Sequence, residues 1–143
     1  MNTKSNNDIF CLFLMGGKSS RIKFDKFNIK YDFFSYWKYC YKILSCYLKT
    51  YLSLNFSNKN FFYFNKYNFL TDIFGNNFGP ISGILSSIKF NSSVSWFIVS
   101  CDFVFLNKEI IEFFLSKRDL KCEINVLYNK NTPEPLFAIY ETS

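Results

Sequence analysis

The sequence predicts a three-layer α/β/α domain built around a mostly parallel sheet, on two observations. Ile9 to Met15 (IFCLFLM) and Val94 to Ser100 (VSWFIVS) are short apolar runs without charge, the composition of strands buried on both faces of a parallel sheet. Between such runs, apolar residues recur at helical spacing, giving the order β, α, β, α, β, α, β, β. The 143 residues suffice for one hydrophobic core and no linker or repeat divides them, so a single domain over residues 1–143 is expected.

Taking the elements in order, Gly16 and Gly17 end the first run. From Gly17 to Lys30 a polar, basic connector, GKSSRIKFDKFNIK, is too long for a simple strand-to-helix turn, and long ordered connections in α/β domains are usually functional. Phe33, Trp37, Cys40, Leu44 and Leu48 then recur as one stripe of an amphipathic helix from Asp32 to about Lys49. NFFYFN, Asn60 to Asn65, reads as the second strand, after a turn marked by Asn55, Asn58 and Lys59. Asp72 to Gly79 (DIFGNNFG) reads as a loop. Pro80 is suited to begin a helix through Ile88, since a missing N–H costs nothing in the first turn; Ile81, Ile84, Leu85 and Ile88 share a face of it. Asp102 stands just past the Val94–Ser100 strand. Asn107 can cap a helix with Ile110, Ile111, Phe114 and Leu115 inward and Lys117 and Arg118 at its C-terminal end. Cys122 to Tyr128 and Leu136 to Tyr140 complete the strands.

Composition narrows the function classes. The net charge of +6 is spread from Lys4 to Lys130 with no basic stripe, so no nucleic-acid partner is expected. The 22% aromatic content, beside abundant Asn, Lys and Ile, matches an AT-rich coding bias and is given no ligand role. With no histidine and five scattered cysteines, a structural zinc site and every His-dependent triad lack their usual parts. Met1 to Asp8 is polar, unlike a signal peptide, and no apolar run nears the roughly 20 residues that span a bilayer. A reducing, cytoplasmic setting without membrane contact is the expectation.

The glycine-rich loop carries the strongest chemical signal. It is not a P-loop, because the first glycine of GxxxxGK[ST] would fall at Leu12, and no GxGxxG is present. Adjacent glycines nevertheless let backbone N–H groups approach phosphate oxygens; Ser19 adds a hydroxyl, and Arg21 and Lys26 add positive charge. Taken alone, the segment could equally be a solvent-exposed basic loop. Asp102, at the C-terminal end of a buried strand, suits Mg²⁺, which binds one or two carboxylates together with substrate phosphates; it is equally placed to cap the next turn.

Four segments together resemble the molybdenum cofactor guanylyltransferase family. Leu14 to Lys26 (LMGGKSSRIKFDK) is similar to that family's LAGGxSxRMGxDK, Phe78 to Ile84 (FGPISGI) to its GPLxGI, Val99 to Phe105 (VSCDFVF) to its strand ending in CDxPF, and Pro133 to Tyr140 (PEPLFAIY) to its PLxAxY strand. They occur in family order. The resemblance implies a Rossmann-like nucleotidyltransferase fold that transfers GMP from GTP to the terminal phosphate of molybdopterin, releasing pyrophosphate. It further implies that Leu14, Met15 and Gly16 line the nucleotide with Gly17, Ser19 and Gly79, that Arg21 and Lys26 contact the phosphates, and that Asp102 holds Mg²⁺. By the same resemblance Asp72 and Asn65 lie on the nucleotide side. GTP and molybdopterin are the implied substrates, with a homodimer or molybdopterin-delivering proteins as partners. No histidine base is needed, because the acceptor phosphate is already an anionic nucleophile.

Three positions depart from the pattern: Lys23 stands at a family glycine, Met15 at an alanine and Val104 at a proline. Family members continue past the PLxAxY strand, so the expectation is a domain whose C-terminal part is reduced or missing. Two alternatives stay open: a cytidylyl- or uridylyltransferase acting on a sugar or alcohol phosphate, and a catalytically inactive nucleotide-binding remnant.

Overall fold

The computed structural model describes residues 8–15, 33–54, 66–74 and 78–142. Its elements are β1 (Ile9–Leu14), α1 (Phe33–Ser45), β2 (Lys49–Leu54), β3 (Phe69–Thr71), α2 (Pro80–Phe90), β4 (Ser95–Ser100), α3 (Lys108–Ser116), β5 (Ile124–Asn129) and β6 (Thr132–Tyr140). They form one six-stranded sheet in the order β3-β2-β1-β4-β6-β5. β3, β2, β1 and β4 run parallel, and β6 lies antiparallel between β4 and β5, so the sheet is mostly parallel, as expected.

Both faces of the sheet are covered. Alternate residues of β1 point to opposite sides, and both sets are apolar. Ile9, Cys11, Phe13 and Met15 pack with Trp37, Cys40 and Leu44 of α1 and with Ile111 and Phe114 of α3. Leu12 and Leu14 pack on the other face with Ile84 of α2 and with Trp96 and Ile98 of β4. This gives the three layers: α1 and α3, the sheet, and α2. Asn107 caps α3, its side chain accepting the Ile110 N–H at 2.9 Å.

Two expectations need correction. The first helix ends at Ser45 rather than Lys49, closed by the Leu48 N–H donating to the Leu44 carbonyl at 2.9 Å. Leu48 is buried, which is why it continues the apolar stripe, yet it belongs to the turn into β2. The second strand is therefore Lys49–Leu54, with Thr50, Tyr51, Leu52 and Leu54 buried; the expected strand at Asn60 to Asn65 lies outside the described residues. The short β3 and the first residues of β6, Thr132 to Pro135, were also not anticipated.

Helix α2 starts at Pro80 as expected, but its packing differs from the apolar pattern. Ser82, Gly83, Ile84, Ser86 and Ser87 are the buried residues, whereas Ile81 is 59% and Leu85 43% exposed. Small side chains let the helix axis approach the sheet closely, and the larger apolar residues are left outside. At the opposite end of β4, Arg118 and Glu141 form an ion pair with both side chains 7% exposed. Arg118 Nε donates to Oε1 and Nη2 to Oε2, each at 2.6 Å, and the carboxylate also accepts from Ser95 Oγ and Asn125 Nδ2.

Candidate functional site

From β1 the chain steps outward to β2 and then β3, and it returns to the other side of β1 with β4. The strand order thus reverses between β1 and β4, and ligands of open α/β sheets bind at the carboxyl ends of the strands flanking such a reversal. Leu14 and Met15 end β1 there. Asp102 lies two residues past β4, tied to β1 by the Cys101 N–H donating to the Leu14 carbonyl at 3.0 Å. The Asp102 backbone N–H donates to Ser100 Oγ at 3.3 Å, and its side chain is exposed.

On the α2 side of this edge, four elements converge. Asp72 follows β3, its N–H donating to the Leu54 carbonyl at 3.1 Å, and its Oδ1 accepts from Ser53 Oγ of β2 at 3.2 Å. A Cβ added at Gly83 would lie 2.7 Å from Ser53 Oγ, 3.0 Å from Leu14 Cδ2 and 3.4 Å from Asp72 Oδ1, so Leu14, Ser53, Asp72 and the first turn of α2 meet at one point. Gly79, the N-cap of α2, has φ 57°, a backbone conformation that favours glycine; nothing lies within 4 Å of an added Cβ, so the requirement there is conformational. Burial pushes the Asp72 carboxyl above its ordinary range, and the Ser53 hydrogen bond opposes that shift.

Of the site residues expected from the sequence, Leu14, Met15, Asp72, Gly79 and Asp102 are described, and all lie at this one edge of the sheet. Leu14 faces the α2 side with Asp72, while the Met15 side chain is buried in the core against α1 and α3. The methionine at a family alanine is thereby absorbed by the core. Gly16, Gly17, Ser19, Arg21, Lys26 and Asn65 lie outside the described residues. β2 ends at Leu54, so the residue directly following it in the sequence is Asn55 and not Asn65. Ser53 and Ser86 were not anticipated; once β2 is placed, the parallel pairing of Leu14 with Ser53 is the signal that brings Ser53 to the site.

A single carboxylate is compatible with Mg²⁺, because this ion is commonly held by one or two carboxylates while substrate phosphates and water complete its shell. Asp102 is exposed at the correct edge for that role, and among the described residues no group of three or more His, Cys, Asp or Glu forms a self-sufficient metal cage. Cys11, Cys40 and Cys101 are buried, and Cys46 and Cys122 are exposed. Among the described residues no helix is long and apolar enough to cross a membrane.

The strand-order reversal, the carboxylate beyond β4 and the glycine-started helix beside a second carboxylate gather where open α/β domains bind their ligands. The chain belongs to the MobA-like NTP transferase domain family, whose model matches residues 11–143. It is 30% identical over 139 residues to a molybdenum cofactor biosynthesis bifunctional protein of Synechocystis sp. (strain ATCC 27184 / PCC 6803 / Kazusa); the match takes in 95% of this chain and spans 40% of that relative's length. Among solved structures, a protein from Aquifex aeolicus VF5 superposes with a TM-score of 0.73 at 20% identity, covering 97% of this chain and 72% of that one. Molybdopterin-guanine dinucleotide biosynthesis protein A from Archaeoglobus fulgidus does so with a TM-score of 0.70 at 19% identity, covering 92% and 66%. These two likenesses establish the shared fold.

Proposed function

We propose that this nucleotidyltransferase domain transfers GMP from GTP to the terminal phosphate of molybdopterin, releasing pyrophosphate. The observation that carries the reading is the convergence of Leu14, Asp72, Gly79 and Asp102 at one sheet edge, in a chain that matches its family over nearly its whole length. The Synechocystis relative, named for molybdenum cofactor biosynthesis, supports the acceptor.

In this reading the backbone of Gly16 and Gly17, with Ser19, Arg21 and Lys26, neutralises the triphosphate, while Leu14, Asp72 and Gly79 hold the nucleoside. Asn55, the residue after β2, takes the role first assigned to Asn65. Asp102 would hold Mg²⁺, which when bound supplies charge neutralisation at the phosphates. The acceptor phosphate oxygen attacks the α-phosphorus of GTP, forming the new P–O bond as the bond to pyrophosphate breaks. The protein contributes in-line placement and electrostatic stabilisation and needs no proton acceptor on the nucleophile.

The test is to incubate purified protein with GTP, Mg²⁺ and molybdopterin and to follow pyrophosphate and the dinucleotide product. CTP and UTP run in parallel separate this activity from cytidylyl and uridylyl transfer. A folded protein that binds GTP and yields no product would sink the enzymatic reading. Loss of turnover in Asn55→Ala but not in Asn65→Ala checks the reassigned asparagine.

A further inference from the structure

We propose that Ser53 and Ser86 are positioning residues that aim the carboxylate of Asp72 at the nucleotide, an inference that rests on reading Asp72 as a nucleotide contact. Three ties fix this aspartate. Its own N–H is held by the Leu54 carbonyl, extending the β2·β3 pairing by one bond. Its Oδ1 accepts from Ser53 Oγ. The next residue, Ile73, donates its N–H to Ser86 Oγ at 3.0 Å, and that hydroxyl donates to the Ser82 carbonyl at 2.7 Å.

Ser86 is 4% exposed. Its hydroxyl therefore does two jobs in a dry place: it satisfies a helical carbonyl and clamps the first peptide of the loop that leaves β3. The clamp stops the chain from rotating about Asp72, while Ser53 selects which carboxylate oxygen faces inward. The geometry leaves Oδ2 without a protein hydrogen bond among the described residues, so Asp72 presents one oxygen held by Ser53 and one without such a tie. A carboxylate oxygen accepts and never donates, so the ligand group it selects is an N–H or O–H of the nucleoside.

Direct titration with GTP tests this on wild type, Ser86→Ala, Ser53→Ala, Asp72→Asn and the double variant Ser86→Ala/Asp72→Asn. Ser86→Ala and Ser53→Ala are each expected to weaken GTP binding about tenfold, the loss of one oriented hydrogen bond. In the Asp72→Asn background, Ser86→Ala should add no more than about twofold, because the group it orients is gone. Equal weakening in both backgrounds would show a purely structural role and overturn the proposal, as would wild-type affinity in both serine variants. Ser53→Ala, at a half-buried strand end, keeps the test decisive if Ser86→Ala fails to fold. Wild-type protein that binds no nucleotide overturns the underlying reading as well, which separates the two failures.

Discussion

Gly83→Ala probes the point where β1, β2, β3 and α2 meet. Alanine is favoured over glycine inside a helix by about 1 kcal/mol, so at an open position the substitution would stabilise. Here the new Cβ would stand 2.7 Å from Ser53 Oγ and 3.0 Å from Leu14 Cδ2. Ser53 can relieve the first contact by rotating its hydroxyl, which breaks its 3.2 Å bond to Asp72. A hydrogen bond to a charged group contributes about 1.5–3 kcal/mol, reduced to about 1 kcal/mol by the partial exposure of this carboxylate. Crowding of Leu14 adds about 1 kcal/mol. The net expectation is a loss of about 1 kcal/mol, or about 3 °C in Tm, accompanied by weaker GTP binding. The double variant Ser53→Ala/Gly83→Ala removes the offending hydroxyl but keeps the Leu14 contact and the lost bond to Asp72, so it should match Gly83→Ala in stability, about 1 kcal/mol below wild type, without regaining GTP affinity. Urea denaturation and GTP titration of Gly83→Ala, Ser53→Ala and the double variant check both statements. Gly83→Ala with raised stability and unchanged affinity would refute the argued close approach.

Three further outcomes follow from other parts of the molecule. Glu141→Gln leaves Arg118 buried without its counter-charge and should cost about 3 kcal/mol in urea denaturation, whereas an apolar pair, Arg118→Met with Glu141→Leu, should recover most of it. Lys130 (φ 46°) and Asn131 (φ 69°) form the two-residue turn of the β5–β6 hairpin, where glycine is preferred at the second position; Asn131→Gly should raise stability by about 0.5 kcal/mol by thermal denaturation. Asp72 has a folded-state pKa raised by burial, so its ionisation opposes folding: it binds its proton more tightly in the folded protein, and stability falls as pH climbs upward from the ordinary value of 3.8 until the folded carboxyl has ionised. Stability measured against pH should therefore show Asp72→Asn gaining on wild type through that window and matching it below.

The fold was legible where burial and periodicity coincide. β1 and β4 are apolar on both faces because both sides of the sheet are covered, and α3 shows its cap and its buried Ile111 and Phe114 directly. β2 was hidden because Leu48, buried in the turn, continues the α1 stripe through its spacing from Leu44, so one helix read on into the next strand. β3 has three residues, too few for any period to appear. On α2 the usual rule inverts: a helix that must lie close to the sheet buries Ser82, Gly83, Ser86 and Ser87 and leaves Ile81 and Leu85 outside, and hydrophobicity alone points the wrong way. For the candidate site, the family resemblance pointed to Asp72, Gly79 and Asp102, and the fold brings these three to one edge of the sheet. The serines around Asp72 come from β2 and mid-α2, and only the tertiary arrangement brings them there.

The position of β6 has a consequence for how the protein is made. Among the described strands it comes last in chain order, yet it occupies an interior place between β4 and β5. While the chain emerges from the ribosome, β4 keeps one edge open and β5 has no neighbour until Thr132–Tyr140 has left the exit tunnel. Until then β4 carries unpaired backbone on that side, and Thr132–Tyr140 acts as a zip that joins β4 and β5 at once. Glu141, which follows immediately and locks onto Arg118 and Ser95, sets that zip in place as soon as it arrives.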